Sequence, residues 1–346
     1  MKCLIENVRI AGIATCLPDK VFEMNSMVDK YSAKEVANTI KTTGVVRVHI
    51  ADVKETTSDL CFKAAENLIK KDGIDKAEIG GLVFVTQTFD YLYPATSVVL
   101  QDRLGLSKDT ICFDISYGCS GYIYGLFQAA SLVNTGVTDN VLLLAGDTNS
   151  KVLDPNNFGA RMVFGDAGSA TLVSKSKGGV MGFHLCSDGS RANTVINQNG
   201  GFRNWPENTN SLDYSKNANK GDDVFSFIIS SGTSSIKIML EYMGWDKDDV
   251  DFYGLHQATK FTLEFMKRKL KLNNEKAPFD IMNYGNTGPT TIPLVLTDYS
   301  HKERGVDTRS WKKVILAAYG VGLSWGSVSC DLSQTSIIKP INQDLR

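Results

Sequence analysis

The sequence predicts an α/β fold made of two related halves, and three observations predict it. Strand-like and helical runs alternate along most of the chain, the second half echoes the first, and a cysteine stands between two glycines where a strand-like run gives way to a helical one. With 346 residues, 42% hydrophobic and 22% charged, the chain can bury a large core or two fused units.

The elements follow in order. Residues 8–18 (VRIAGIATCLP) are apolar and partly β-branched, as a strand requires, and residues 58–73 (SDLCFKAAENLIKKDG) carry a helical pattern closed by a glycine. Residues 78–87 (EIGGLVFVTQ) and 111–118 (ICFDISYG) are short apolar strands on either side of a helical run at 97–106. Residues 121–136 are apolar on nearly every face and stop at Gly136, the pattern of a buried helix. Strands follow at 140–147 (NVLLLAGD), within 162–173 (MVFGDAGSATLV) and at 179–187. Residues 187–223, rich in Asn and Gly, read as long surface connections before the alternation resumes. The run 162–173 resembles a phosphate-cradling loop, yet its glycine spacing fits neither nucleotide fingerprint, and it reads as turn and strand.

The echo is local and ordered. CFDISYGCSGYIYGL resembles PFDIMNYGNTGPTTIPL at 278–294, GLVFVTQ resembles DFYGLHQ at 251–257, and NVLLLAGD resembles KVILAAYG at 313–320. Two stacked copies would bring corresponding strand ends together, and ligands in open α/β sheets gather at the carboxyl ends of strands. Cys119, His256 and Asn286 all fall at predicted strand ends. Read alone, Cys119 is either a nucleophile or a small buried hydrophobe. A helix N-terminus directly after it offers free N–H groups and partial positive charge, which favour a thiolate. His256 alone could be a core histidine and Asn286 a turn residue; three such residue types at equivalent turns favour catalysis.

Composition excludes other classes. A formal net charge of -1 gives no general reason to expect nucleic acid or an anionic membrane as partner. The first residues carry acidic and polar side chains where a signal peptide would be apolar, no run is long enough to span a bilayer, and the expected location is the cytoplasm. Seven scattered cysteines without a CxxC pair argue against a disulfide framework or a zinc site, and His49, His184 and His301 lack acidic or cysteine partners at metal spacing.

GCSGY around Cys119, GLHQA around His256, YGNTG around Asn286, MVFGDAGSATLV and LAAYGVGLSWGS at 316–327 together resemble the β-ketoacyl-acyl-carrier-protein synthase III type of condensing enzyme. The resemblance implies a thiolase-like fold, two duplicated halves (1–175 with the cysteine, 176–346 with the histidine and asparagine) stacked as five αβαβα layers. It implies an acyl primer on Cys119 and decarboxylative condensation with a malonyl thioester whose oxygen is held by His256 and Asn286. The backbone N–H groups of Cys119 and Val321 would form the oxyanion hole. Tyr93 matches the side chain that closes the partner's acyl pocket in such dimers, so a short primer is expected. Coenzyme A or acyl-carrier-protein thioesters are the implied substrates, with no bound cofactor or metal, and a homodimer is the implied assembly.

Lys260, Lys267 and Lys271 share one helical face with Arg268 and Lys269 beside it; the default is a solvated face, and the resemblance implies contact with the acidic carrier protein. The chain departs from the family where coenzyme A binds. Asn38 and Phe158 stand at the positions of an adenine-sandwiching tryptophan and arginine, and Thr42 and Phe261 replace two further arginines. These departures favour a carrier-linked primer or a specialised pathway. Two other readings stand beside condensation: transfer of the acyl group from Cys119 to an oxygen or nitrogen nucleophile, and a non-catalytic partner subunit.

Overall fold

The computed structural model describes residues 1–154, 157–198, 202–203, 218–301 and 306–342. Its main elements are β1 (Lys2–Leu17), α1 (Ala33–Thr43), α2 (Thr57–Asp72), β2 (Gly81–Val85), α3 (Thr96–Arg103), β3 (Ile111–Ile115), α4 (Gly121–Asn134), β4 (Asn140–Asp147) and β5 (Ala167–Ser187). The second half adds α5 (Thr233–Met243), β6 (Phe252–Leu255), α6 (Lys260–Leu270), α7 (Thr291–Tyr299), β7 (Val314–Gly320) and β8 (Ser324–Cys330).

The strands run in the order β6-β7-β8-β5-β4-β2-β3, with β1 along β5. β5 joins the halves. Its residues 167–174 pair with β4, its residues 182–187 pair with β8, and β1 follows both parts antiparallel, with register shifts at Glu6/Val8 and Ile10/Gly12. The two strands expected at 162–173 and 179–187 are therefore one, and the expected boundary at 175/176 falls inside it.

Side-chain alternation builds five layers from these strands. On β2, Val83 and Val85 point toward α4 and α7, whereas Leu82 and Phe84 point toward α2 and α3. On β7, Leu316 and Ala318 face the same central helices, and Ile315, Ala317 and Tyr319 face α5 and α6. The order is α2/α3, sheet, α4/α7, sheet, α5/α6, the αβαβα arrangement expected from the sequence. Burying each of these large apolar side chains stabilises the fold by roughly 1.5–3 kcal/mol.

Two glycines set α4 against the strands beneath it. A Cβ on Gly121 would lie 2.5 Å from Val85 Cγ1, and one on Gly125 would lie 2.6 Å from Leu143 Cδ1. Only bare backbone approaches so closely, and this contact fixes the height of the turn that carries Cys119.

The echo is less complete than the sequence suggests. Residues 278–285, expected to match the strand before Cys119, form no strand, with a turn at 282–284, and Asn286 makes only an isolated bridge with Phe164. Pro278 lacks the N–H a ladder needs, and the carbonyl of Met282 turns away to accept from the N–H groups of Val46 and Arg47. Within the polar stretch 187–223, residues 189–194 form a tight helical turn, and residues 199–201 and 204–217 lie outside the described set.

Candidate active site

The turn between β3 and α4 carries Cys119 one residue before the N-cap, Ser120. A Cβ on Gly320 would lie 2.9 Å from Cys119 Cβ, so the end of β7 runs directly beside the thiol. Ser120 Oγ lies 2.6 Å from Ser324 Oγ, and Ser324 Oγ donates to the carbonyl of Val321 at 2.6 Å. Because Ser324 has one proton and gives it to Val321, Ser120 donates to Ser324. This relay ties the start of α4 to the loop after β7 and fixes the peptide of Val321. Neither the N–H of Cys119 nor that of Val321 reaches an acceptor on another residue among the described residues.

His256 follows β6. Its backbone N–H donates to Ala317 O at 2.8 Å, and its ring lies edge-on to Tyr319 with centroids 5.3 Å apart. The Tyr319 hydroxyl donates to the carbonyl of His256 at 3.0 Å, and Nδ1 lies 2.6 Å from Thr291 Oγ1. Burial lowers the imidazole pKa to about 3, so the ring is neutral at physiological pH.

Asn286 is held at both ends of its peptide: its N–H donates to Val163 O at 2.8 Å, and its carbonyl accepts from Gly165 N–H at 3.1 Å. Its Oδ1 accepts from Gly288 N–H at 3.0 Å. The amide orientation is thereby set, and Nδ2 is left to donate to Cys119.

Cys119, His256, Asn286, Val321 and Phe227 line one cavity of about 450 Å³. The helix N-terminus that favours a thiolate at Cys119 is opposed by burial. Enclosure by protein pushes the Cys119 thiol up to about 12, with the nearby Asp147 carboxyl adding to the rise; hydrogen bonds from its own N–H and from Asn286 oppose it. The thiol rests protonated.

Asp147, the last residue of β4, lines the same cavity and was missed by sequence reasoning. Its Oδ1 accepts from Gln87 N–H at 2.8 Å, Thr86 Oγ1 at 2.9 Å and Thr88 Oγ1 at 3.2 Å, while burial raises its pKa to about 7. The available signal was an acidic residue ending the apolar run VLLLAG of the strand NVLLLAGD.

Other expected positions lie elsewhere. Phe158 packs on Tyr31 with centroids 4.2 Å apart, and Tyr93 is 84% exposed on the loop before α3. Phe261 lines a second cleft of about 450 Å³ between α1 and α6, together with Asn38, Lys41, Thr42, Lys260 and Arg268. None of the three aromatic residues lines the Cys119 cavity.

Of the cationic run, Lys260, Arg268, Lys269 and Lys271 are exposed. Lys267 is not: it is 3% exposed and pairs with Glu264 at 2.7 Å, because its face of α6 packs inward with Leu263, Met266 and Leu270. A second correction concerns His184, whose Nε2 lies 3.3 Å from Cys186 Sγ and whose Nδ1 lies 2.8 Å from Ser235 Oγ. Among the described residues no group of three or more His, Cys, Asp or Glu side chains could hold a metal ion, and no helix is long and apolar enough to cross a membrane.

Residues 113–189 match the family model of 3-oxoacyl-[acyl-carrier-protein] synthase III, and residues 240–332 match the model of its C-terminal part. A Campylobacter jejuni protein named putative 3-oxoacyl-[acyl-carrier-protein] synthase 3 is 32% identical over 342 residues, 94% of each chain. A β-ketoacyl-[acyl-carrier-protein] synthase III of Streptococcus agalactiae is 33% identical over 287 residues, 83% of this chain and 87% of that one. The crystal structure of a 3-oxoacyl-(acyl-carrier protein) synthase from Burkholderia xenovorans superposes with a TM-score of 0.92 at 32% identity, covering 99% of both chains.

Proposed function

The chain belongs to the 3-oxoacyl-acyl-carrier-protein synthase III family, and from that premise we propose that Cys119 carries an acyl primer while His256 and Asn286 hold the thioester oxygen of a malonyl extender. The protein is a condensing acyltransferase of fatty-acid biosynthesis, and the comparisons favour carbon–carbon bond formation over transfer to an oxygen or nitrogen nucleophile. One observation carries the residue-level reading: a thiol, a neutral imidazole, an oriented carboxamide and the Val321 turn face a single cavity.

Acylation exchanges one thioester for another. The Cys119 sulfur bonds the primer's carbonyl carbon, the donor thiol leaves, and the proton lost by Cys119 ends on the departing sulfur, so no net proton is released. Decarboxylation then breaks the bond between the extender's carboxylate and its α-carbon, and the electron pair becomes an enolate whose oxygen takes hydrogen bonds from His256 and Asn286. The α-carbon attacks the acyl-cysteine, the N–H groups of Cys119 and Val321 hold the oxyanion, and collapse returns Cys119 as a thiolate that takes up a proton. Each fixed donor of this kind contributes about 100- to 1000-fold in rate. A neutral His256 suits this role, because an imidazolium would hand its proton to the enolate.

Coenzyme A or acyl-carrier-protein thioesters are then substrates and no resident cofactor takes part. The exposed Lys260, Arg268, Lys269 and Lys271 form a cationic edge for an acidic carrier protein, beside a cleft where Asn38, Thr42 and Phe261 replace the nucleotide-binding side chains of coenzyme-A-primed relatives. This favours a carrier-linked primer. The chain works as a cytoplasmic homodimer through β3, which among the described residues pairs with β2 alone and exposes Ile111 and Phe113; Tyr91, Leu92 and Tyr93 are exposed as well. Tyr93 closes the partner's acyl pocket and keeps the primer short.

The test incubates the protein with a panel of acyl-coenzyme-A and acyl-carrier thioesters, followed by peptide mass spectrometry with Cys119→Ala as control. The expected result is a mass gain on Cys119 and malonyl-dependent release of carbon dioxide. No labelling by any donor while the fold is intact would overturn the catalytic reading in favour of a non-catalytic subunit.

A further inference from the structure

Thr291 stands where the tautomer of His256 is decided. The ring is buried, Nε2 has no protein partner among the described residues, and Nδ1 has one, Thr291 Oγ1 at 2.6 Å. That hydroxyl also lies 3.2 Å from the carbonyl of Gly288. A hydroxyl has a single proton, so the two contacts cannot both be donated from Oγ1.

If the proton goes to Gly288, the imidazole must donate Nδ1–H to Thr291, and the cavity is left with the bare lone pair of Nε2. If it goes to Nδ1, the cavity receives Nε2–H. Two features decide between these. The Nδ1 contact is the shorter by 0.6 Å. The carbonyl of Gly288 already accepts the backbone N–H of Thr291, so it has no unmet need that the hydroxyl alone could fill. The ring cannot evade the choice by turning, because Tyr319 packs edge-on against it and binds its carbonyl.

We propose that Thr291 is a positioning residue for condensation: its hydroxyl donates to Nδ1 and holds His256 as the Nε2–H tautomer, the only form that can donate to the enolate oxygen. This rests on the donor role given to His256 above. The bare lone pair of the other tautomer would repel the developing oxyanion. Acylation of Cys119 makes no use of this proton, so Thr291 separates the two half-reactions. Asn286 gains its orientation from Gly288 N–H in the same segment, so residues 286–291 aim both donors at once.

The test compares wild type with Thr291→Val, which keeps the shape and loses the hydroxyl, and Thr291→Ser, which keeps the hydroxyl. In Thr291→Val, kcat for malonyl decarboxylation and condensation is expected to fall about 10- to 100-fold, below the full loss of one oxyanion donor because the tautomers then interconvert. Primer loading on Cys119 by mass spectrometry should stay within about twofold, and Thr291→Ser should restore condensation. Long-range proton–nitrogen correlation spectra of ¹⁵N-histidine-labelled protein, assigned with His256→Ala, should show Nε2–H in wild type and a shift toward Nδ1–H in Thr291→Val. A wild-type Nδ1–H ring, unimpaired condensation in Thr291→Val, or loss of both half-reactions without rescue by Ser would overturn the proposal. Wild-type protein that neither loads nor decarboxylates would instead overturn the donor reading beneath it.

Discussion

The free enzyme should react slowly with iodoacetamide at Cys119, and only alkali should change that. Burial, reinforced by Asp147, lifts this thiol from an ordinary 9.0 to about 12. At pH 8 that leaves about 1 part in 10⁴ as thiolate against about 1 in 10 for the ordinary group, so alkylation should run about 1000-fold slower, a difference of about 4 kcal/mol at 1.36 kcal/mol per unit. Asp147→Asn removes the opposing charge and should speed the reaction, while Asn286→Ala removes a donor to the sulfur and should slow it. The assay is the rate of carbamidomethylation of each cysteine peptide from pH 6 to 11, with a free cysteine peptide as the ordinary group and Cys112, partly exposed like Cys119 and raised in the same direction by burial, as internal reference. Alkylation of Cys119 at pH 7 faster than that of Cys112, with an inflection below pH 8, would show that the N-terminus of α4 outweighs burial, and the argument for a protonated resting thiol would fail.

Asp147 should also govern stability against pH. Its carboxyl is neutral in the folded protein up to about 7 but ionises near 3.8 when unfolded, so its contribution is fully present below about pH 4 and is lost as pH rises through 7, by about 4 kcal/mol. Asp147→Asn keeps the acceptor for three donors and should melt higher than wild type at pH 8, with a flatter profile between pH 4 and 8; a lower melting temperature at pH 8 would contradict the buried neutral carboxyl. Arg268→Glu should raise KM for a carrier-linked substrate and leave a small thioester mimic unaffected, whereas Lys267→Glu should instead cost about 3–5 kcal/mol in denaturant unfolding by opposing Glu264 at a buried site. Equal effects of Arg268→Glu on both substrates would remove the carrier role. Phe113→Asp on the β3 edge should sediment as a monomer with little condensing activity, and an unchanged dimer would exclude that edge as the interface.

The alternation of strands and helices, the apolar helix after Cys119 and the places of Cys119 and His256 after strands were legible because each depends on neighbours a few positions away. The five motifs, taken together and in order, were enough to point to the family. Short-range pattern failed where an element's surroundings come from far along the chain. Lys267 fits a polar stripe by helical spacing, yet that face of α6 is the one that packs inward with Leu263 and Leu270, and its charge is carried by Glu264. Residues 278–285 repeat the letters of the strand before Cys119 but not its pairing, because Pro278 and the contact of Met282 with Val46 take the backbone out of the sheet. The same holds for the chemistry of the site. The sequence named a thiol, an imidazole and a carboxamide, and the helix after Cys119 suggested a thiolate. Their protonation was decided only when β4 brought Asp147, β7 brought Gly320 against Cys119, and α7 brought Thr291 to His256. Composition and spacing name which groups are present; desolvation and hydrogen-bond partners, which set where each proton sits, exist only after separate elements of the chain, from neighbouring strands and helices to the two distant halves, have packed together.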